Sequence, residues 1–351
     1  MNKNGSVADK APIAESELSA LFENFSSSRR TLLAVSGGPD STALLVLAAR
    51  WRAQRGQGPE LIAATIDHRL RAASKNEAKA VAKLAAKLGI AHHTLAWIGK
   101  KPITGVQEAA REARFALFSG LAKEIGADQL MTAHTRDDQA ETVLHRMGRG
   151  SGLGGLAGIR RTHMRNGIKL ARPFLDLPKT RLVATLKKMR IPYATDPTNK
   201  DTKYLRARLR KLAPLLAKEG ITSANLALMA RRLSRANEAL EGMAKAFIEA
   251  NPRDETGVLL HAADFIGAFP EEVAIRILRR LIDEIGHEGP AELGKVEALY
   301  GELLRDCQSD RPVRRTLAGA LVSADRKTLS VAPAPARKSS RQKRVSGRAV
   351  H

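Results

Sequence analysis

A single cysteine, thirteen aromatic residues and no run of about 18 apolar residues define what this 351-residue chain lacks. Cys307, standing alone, makes no internal disulfide, no Cys-x-x-Cys redox pair and no structural zinc site, so a reduced, cytoplasmic setting is expected. Lys3, Asp9, Lys10, Glu15 and Glu17 break up the first twenty residues. With no long apolar run either, neither a membrane span nor a secretory signal is expected. The scarcity of aromatics excludes numerous stacking platforms for unpaired bases, so contacts with nucleic acid would fall mainly on phosphates. Acidic residues are also few: 36 Asp+Glu face 59 Lys+Arg, a net charge of +23 that points to an anionic partner.

The excess is concentrated. Residues 1–50 hold five bases and five acids, residues 51–140 hold 14 and 9, and residues 221–330 hold 15 and 17. Residues 141–220 carry 19 bases and 5 acids, a net of +14, and residues 331–351 add six bases without an acid. A general basic bias would spread along the chain, whereas a surface that tracks phosphates concentrates, as here.

Short apolar runs alternate with helical patterns between Thr31 and Leu216. That alternation predicts an α/β domain with a doubly wound, mostly parallel sheet. Strands are expected at Thr31 to Val35, Leu61 to Ile66, His92 to Leu95, Gln129 to Ala133 and Lys169 to Ala171. Val81, Leu84, Ala85 and Leu88 recur at helical spacing. From Thr222 onward long helical stretches dominate and lead to a β-like end, Val313 to Val331. The expected division is a flexible N-terminus (1–20), a nucleotide-binding α/β domain (21–217), a mainly helical accessory domain (218–331) and a basic disordered tail (332–351).

The most informative segment is Ser36-Gly37-Gly38-Pro39-Asp40-Ser41-Thr42, between an apolar strand and the apolar helix that follows. At such a junction free backbone N–H groups and the positive end of a helix converge on one point, which suits phosphate oxygens. Gly37 and Gly38 permit close approach, while Ser36, Ser41 and Thr42 offer hydroxyl donors. Asp40, beside bound phosphates, is the expected magnesium ligand. No Gly-x-x-x-x-Gly-Lys-Ser/Thr loop occurs, which disfavours γ-phosphate hydrolysis of the P-loop kind. Ala34 to Gly38 approximates a nucleophile elbow, but it follows the first strand and has no evident Asp and His partners. Gly150-Ser-Gly152-Leu-Gly-Gly155 fits a dinucleotide fingerprint with Asp176 downstream, yet it follows a helical pattern and reads as a flexible glycine loop.

After the strand near Gln129 comes His134-Thr-Arg-Asp137-Asp138-Gln-Ala-Glu141-Thr-Val-Leu-His145. Asp137 and Glu141 are four apart, as are Glu141 and His145, so acids and imidazole share one helical face at the carboxyl edge of the sheet. For Asp137 or Asp138 alone, a helix-start role is the plainer reading.

The Ser-Gly-Gly-x-Asp-Ser string resembles the pyrophosphate loop of the N-type ATP pyrophosphatases. Further segments extend the likeness over about Leu32 to Leu216: Ile66-Asp67-His68, Gly105 to Phe115 with Arg111 and Arg114, His134 to Glu141, Arg149-Gly150-Ser151-Gly152, and Asp196-Pro197-Thr198-Asn199 followed by Arg206 and Arg208. In this order they resemble the tRNA(Ile)-lysidine synthetase family, which has a PP-loop ATPase fold of the adenine nucleotide alpha hydrolase-like kind. The resemblance implies ATP-dependent adenylation of the wobble cytidine in isoleucine tRNA with a CAU anticodon, then ligation of free L-lysine, with ATP and Mg2+ required. It implies ATP binding by Ser36, Gly37, Gly38, Pro39, Asp40, Ser41, Asp67, His68 and His134. Asp40, Asp137 and Glu141 are the implied catalytic residues, lysine falls to Asp137, Glu141, Arg111 and Arg114, and tRNA to Arg149, Arg206 and Arg208. Homodimerisation is left open. The chain departs from the family where Tyr204-Leu-Arg206-Ala-Arg208-Leu-Arg210 stands in place of a frequent Arg-Asn-Arg, and a full additional C-terminal tRNA-binding module is not identified after Val331. The alternatives are a tRNA thiolase, which generally needs paired cysteines, and a non-catalytic RNA-binding protein, which has no use for an intact Ser, Gly and Asp set.

Overall fold

The structure, a computed structural model, describes residues 8–67, 72–97, 106–194, 205–251, 256–308 and 311–335. Two compact units divide between Ser234 and Arg235, later than the expected 217/218 boundary and inside a long helix.

The first unit is built on a six-stranded sheet: β1 Arg30–Ala34, β2 Glu60–Asp67, β3 Ala91–Ala96, β4 Gln129–Met131, β5 Thr162–Arg165 and β6 Ile168–Ala171. Their order is β3-β2-β1-β4-β6-β5, with every pairing parallel except the β5–β6 hairpin. β5 was not expected; its alternating exposed and half-buried residues carry too weak an apolar signal. The helices are α1 Leu18–Phe22, α2 Pro39–Arg55, α3 Ala72–Lys87, α4 Val106–Glu124, α5 Arg136–Met147, α6 Leu153–Leu156, α7 Lys179–Lys188, α8 Leu205–Lys218 and α9 Ser223–Ala250.

Period-two alternation splits the apolar strand residues between two cores, as a doubly covered sheet requires. Leu33, Val35, Leu61 and Ala63 join Leu44, Leu45 and Trp51 of α2 and Leu182 and Leu186 of α7. Leu32, Ile62, Ala64 and Leu130 join Leu121 and Ala122 of α4 on the other face. The connection from β3 through α4 to β4 carries the chain from one side of β1 to the other. The crevice beyond the carboxyl ends of β1 and β4 is therefore the topological switch point, where ligands bind in such sheets.

Residues 8–20, expected to be flexible, pack on this unit. Leu18 and Phe22 are fully buried, Phe22 stacks on Trp51 with ring centroids 5.4 Å apart, the Ile13 amide donates to Thr185 Oγ1 at 2.8 Å, and Glu17 pairs with Arg181 at 2.7 Å.

The second unit places α10 Glu271–Ile285 and α11 Leu293–Gln308 with an antiparallel sheet of β7 Val258–His261, β8 Val313–Leu317, β9 Ala320–Ala324 and β10 Thr328–Pro333, in the order β7-β10-β9-β8. Its sheet is larger than the expected β-like end, because β7, far upstream, pairs with β10. β10 runs into the stretch assigned to the tail, of which residues 336–351 lie outside the described residues.

Gly257, at φ +123°, enters β7 so close to β10 that a Cβ would stand 2.1 Å from the Val331 carbonyl oxygen. Both the backbone conformation and the contact exclude a side chain. Gly257→Ala is expected to destabilise the protein by about 2 kcal/mol or more; an unchanged thermal unfolding midpoint would contradict this account of the junction.

Candidate active site

The chain leaves β1 with the Val35 amide bonded to Ala64 O at 2.9 Å, then turns at Gly37, whose φ is +85°. Gly38 caps α2 and Pro39 occupies its first turn, where a missing N–H costs no hydrogen bond. The loop is braced from within. Ser41 Oγ donates to Gly38 O at 3.1 Å and accepts from the Ser36 amide at 3.1 Å, and Thr42 Oγ1 donates to Gly37 O at 3.2 Å. Ser41 and Thr42 are buried. Their hydroxyls, expected as ligand donors, hold the loop open instead, while Ser36 is exposed. Helical geometry leaves the first N–H groups of α2 without intrahelical partners, so a phosphate finds donors there.

Asp40, in the first turn of α2, accepts from Lys179 Nζ through Oδ2 at 2.7 Å, and its Oδ1 is buried with no partner among the described residues. Burial pushes its carboxyl above the usual range; the Lys179 ammonium pulls the other way, and Asp138 and Asp137 add to the push. An orphaned carboxylate oxygen at a phosphate loop suits a hard divalent cation. Among the described residues no group of three or more His, Cys, Asp or Glu forms a metal cage. Magnesium at Asp40 would thus complete its shell with polyphosphate oxygens and water, the usual arrangement for that ion.

Thr135 caps α5 in a reciprocal box with Asp138: Asp138 Oδ2 accepts from the Thr135 amide and hydroxyl, each at 2.8 Å. Asp137 Oδ2 accepts from the Lys179 amide at 2.8 Å and so caps α7. Glu141, only 7% exposed, accepts from Nε and Nη2 of Arg210 on α8. Burial works against the Arg210 charge, but Glu141, with Asp138 and Asp40 beyond it, outweighs burial and holds the guanidinium above its ordinary value.

Asp40, Asp137, Asp138, Glu141, Lys179 and Arg210 line one cavity of about 390 Å³, walled on its apolar side by Leu144, Leu209, Leu216 and Leu226. Three expected catalytic residues thus meet. Lys179 and Arg210 were missed as site residues. Lys179 left one clue: a lysine in the first turn of a helix opposes the dipole and needs a partner to justify it.

The other candidates lie elsewhere. Asp67 ends β2, its carbonyl accepting from the Trp97 amide at 3.2 Å, and His134 Nδ1 lies 2.8 Å from Thr132 Oγ1 just past β4. Arg111 and Arg114 are exposed on α4 and are not among the described residues lining the cavity. Arg149 and Arg208 are exposed; His68, residues 196–199 and the Arg206 side chain lie outside the described residues. The glycine loop, expected to be flexible, folds into α6 and is clamped: Arg146 Nη1 donates to Gly155 O at 2.8 Å and Gly158 O at 2.9 Å, and Gln139 bonds both the amide and carbonyl of Ile159. Asp176 pairs with Arg161, which leaves no dinucleotide role for it.

Residues 10–216 match the family described as PP-loop domain. The chain is 49% identical over 352 residues to the tRNA(Ile)-lysidine synthase of Bradyrhizobium diazoefficiens, covering 94% of this chain and 97% of the relative. It is 47% identical over 343 residues to the enzyme of the same name from Rhodopseudomonas palustris, covering 95% and 99%. Among solved structures, a U34-tRNA thiolase from Methanococcus maripaludis superposes with a TM-score of 0.55 at 16% identity, over 67% of this chain and 81% of that one, a likeness of fold alone.

The raised pKa of Asp40 carries a sign for stability. Its ionised form is disfavoured by folding, so the penalty is absent below the unfolded value of about 3.8, grows as pH rises through the folded value and is full above it. Asp40→Asn is expected to unfold, at neutral pH and without nucleotide, at a temperature no lower than the parent, with the gain vanishing below about pH 4. A variant markedly less stable than the parent at pH 7 would count against this balance of burial over pairing.

Proposed function

The chain belongs to the tRNA(Ile)-lysidine synthase family of PP-loop proteins, and we propose from that membership that it is the ligase joining free L-lysine to the 2-carbon of the wobble cytidine in isoleucine tRNA with a CAU anticodon. The observation that carries this reading is the single cavity in which Asp40 of the phosphate loop meets the acids of α5 against a wall of leucines. Such a cavity suits a nucleotide on one side and, on the other, a ligand with an ammonium head and a methylene stem.

In the first half-reaction the cytidine O2 attacks the α-phosphorus of ATP and pyrophosphate leaves. In the second the lysine ε-amine attacks C2, loses a proton, and AMP departs with the oxygen. The N–H groups heading α2 hold the pyrophosphate and stabilise its growing charge. Asp40 would hold magnesium, which when bound would supply neutralising charge to the polyphosphate.

Lysine presents a conflict. With a pKa of about 10.4 its amine is only roughly 0.04% neutral at pH 7, a deficit of about 4.6 kcal/mol. Carboxylates bind the ammonium well and thereby raise that pKa further. Asp138 is committed to its helix cap, which leaves Asp137 and Glu141 to divide the work: one anchors the ammonium while the other, or a water, takes the proton as the amine attacks. Arg149, Arg206, Arg208 and the basic stretch around them take the tRNA. We place the reaction in the reduced cytoplasm, in keeping with a lone cysteine and with the absence, among the described residues, of a helix long and apolar enough to cross a membrane. The same lone cysteine disfavours a thiolase.

Incubation with ATP, lysine and isoleucine tRNA, followed by mass spectrometry of the nucleosides, is expected to yield lysidine only when both small substrates are present; no such peak overturns the assignment. Asp40→Ala is expected to abolish lysine-dependent AMP release. At least one of Asp137→Asn and Glu141→Gln is expected to shift the pH–rate profile, and a profile left unmoved by both would refute the division of labour.

A further inference from the structure

A second charged cluster forms around His163 of β5. Arg172, directly after β6, is 7% exposed; its Nη1 donates to Arg160 O at 2.6 Å and lies 3.3 Å from His163 Nδ1, while its Nε is buried without a partner among the described residues. Arg146, half-buried at the end of α5, donates to two carbonyls of the glycine loop. Among the described residues no carboxylate pairs with either arginine. Arg165 is the exception in the group, paired with Glu112 and lying over the Phe115 ring at 3.9 Å. Burial first, and then the neighbouring charge of Arg111, hold Arg146 below its ordinary value and Arg172 down to about 10. His163 is held down by burial and then by Arg172, Arg160, Arg165 and Arg111 together.

Gathering uncompensated guanidiniums at a partly buried place is unfavourable unless an anion completes it. The members differ in burial: Arg172 is buried with His163 beside it, Arg146 is half-buried, and Arg111 and Arg160 are exposed. Guanidinium forks match phosphate oxygens in pairs, and the scarcity of aromatics leaves backbone contact as the main way to hold RNA. The position is apt. Arg146 follows Asp137 by nine residues on α5, about 13 Å along the helix axis, so an anion here lies a short reach from the acid cavity.

We propose that Arg111 and Arg172, gathered around His163, with Arg146 adjoining Arg111, form a phosphodiester pocket that seats the RNA backbone next to the nucleoside being modified. This rests on the ligase reading for the identity of the RNA.

The test is fluorescence anisotropy of labelled isoleucine tRNA with the full chain over a series of NaCl concentrations. Arg172→Met and Arg111→Gln are each expected to weaken binding about ten-fold or more. Each should also make the slope of log K against log salt shallower by about 0.7–0.9, the signature of one lost phosphate contact. For Arg172→Met the lysine KM should stay at the parent value. Arg172→Met also removes a hydrogen bond to a carbonyl and is admissible only if its unfolding midpoint is near the parent's; Arg111→Gln, at an exposed position, carries the test otherwise. A folded Arg111→Gln variant with parental affinity and slope overturns the pocket. So does a raised lysine KM with unchanged RNA binding, which would give the arginines to the carboxylate of the amino acid. The binding readout needs no turnover: a parent that makes lysidine while these variants bind normally fails this inference alone, whereas a parent that makes none fails the ligase reading and leaves the pocket to be judged on binding.

Discussion

Four carboxylates that face one cavity repel each other, and the site holds its shape because two cations from later in the chain sit among them. Lys179 connects the two halves: its ammonium holds Asp40 of the loop after β1, and its backbone N–H is held by Asp137 of the helix after β4. Arg210 does the same for Glu141 from α8. Without these pairings the acids would sit uncompensated in a partly buried place, where charge is costly. The phosphate loop and the acid helix belong to different βα units, and the head of α7 fixes their spacing.

This accounts for what was legible in the chain and what was not. The loop from Ser36 to Ser41 and the segment from His134 to Glu141 are contiguous strings at strand-to-helix junctions, so spacing alone exposes them. Lys179 stands 139 residues from Asp40, and Arg210 stands 69 from Glu141; no local pattern announces partners so distant. Local reading also misses how the loops are braced: the Ser41 and Thr42 hydroxyls donate to carbonyls three and five residues back, and the glycine loop is held by Arg146 and Gln139 of α5. The short strands β5 and β7 escaped for a related reason. A four-residue run, without a buried side chain in β5 and with only two in β7, forms a strand because a neighbour is present to pair with it.

The charge arithmetic gains a spatial meaning. The net positive charge of residues 141–220 is not spread evenly over a surface: Lys179 and Arg210 are consumed by acids inside the cavity, Arg161 and Arg165 by single surface partners, and Arg160 and Arg172 around His163 have no acid partner among the described residues. One helix, α5, joins these zones, with carboxylates at its start and Arg146 at its end, each sign at the pole its dipole favours.

The pairing at Asp40 has a further consequence for how the loop is filled. Because Asp40 Oδ2 already holds an ammonium of the chain's own while Oδ1 has no partner among the described residues, a metal–nucleotide entering there would share the carboxylate with Lys179. The lysine charge would then offset part of the pull of Asp40 on the metal and add to the pull on the phosphates. The net affinity of the loop is thus open to retuning by a change at that one side chain.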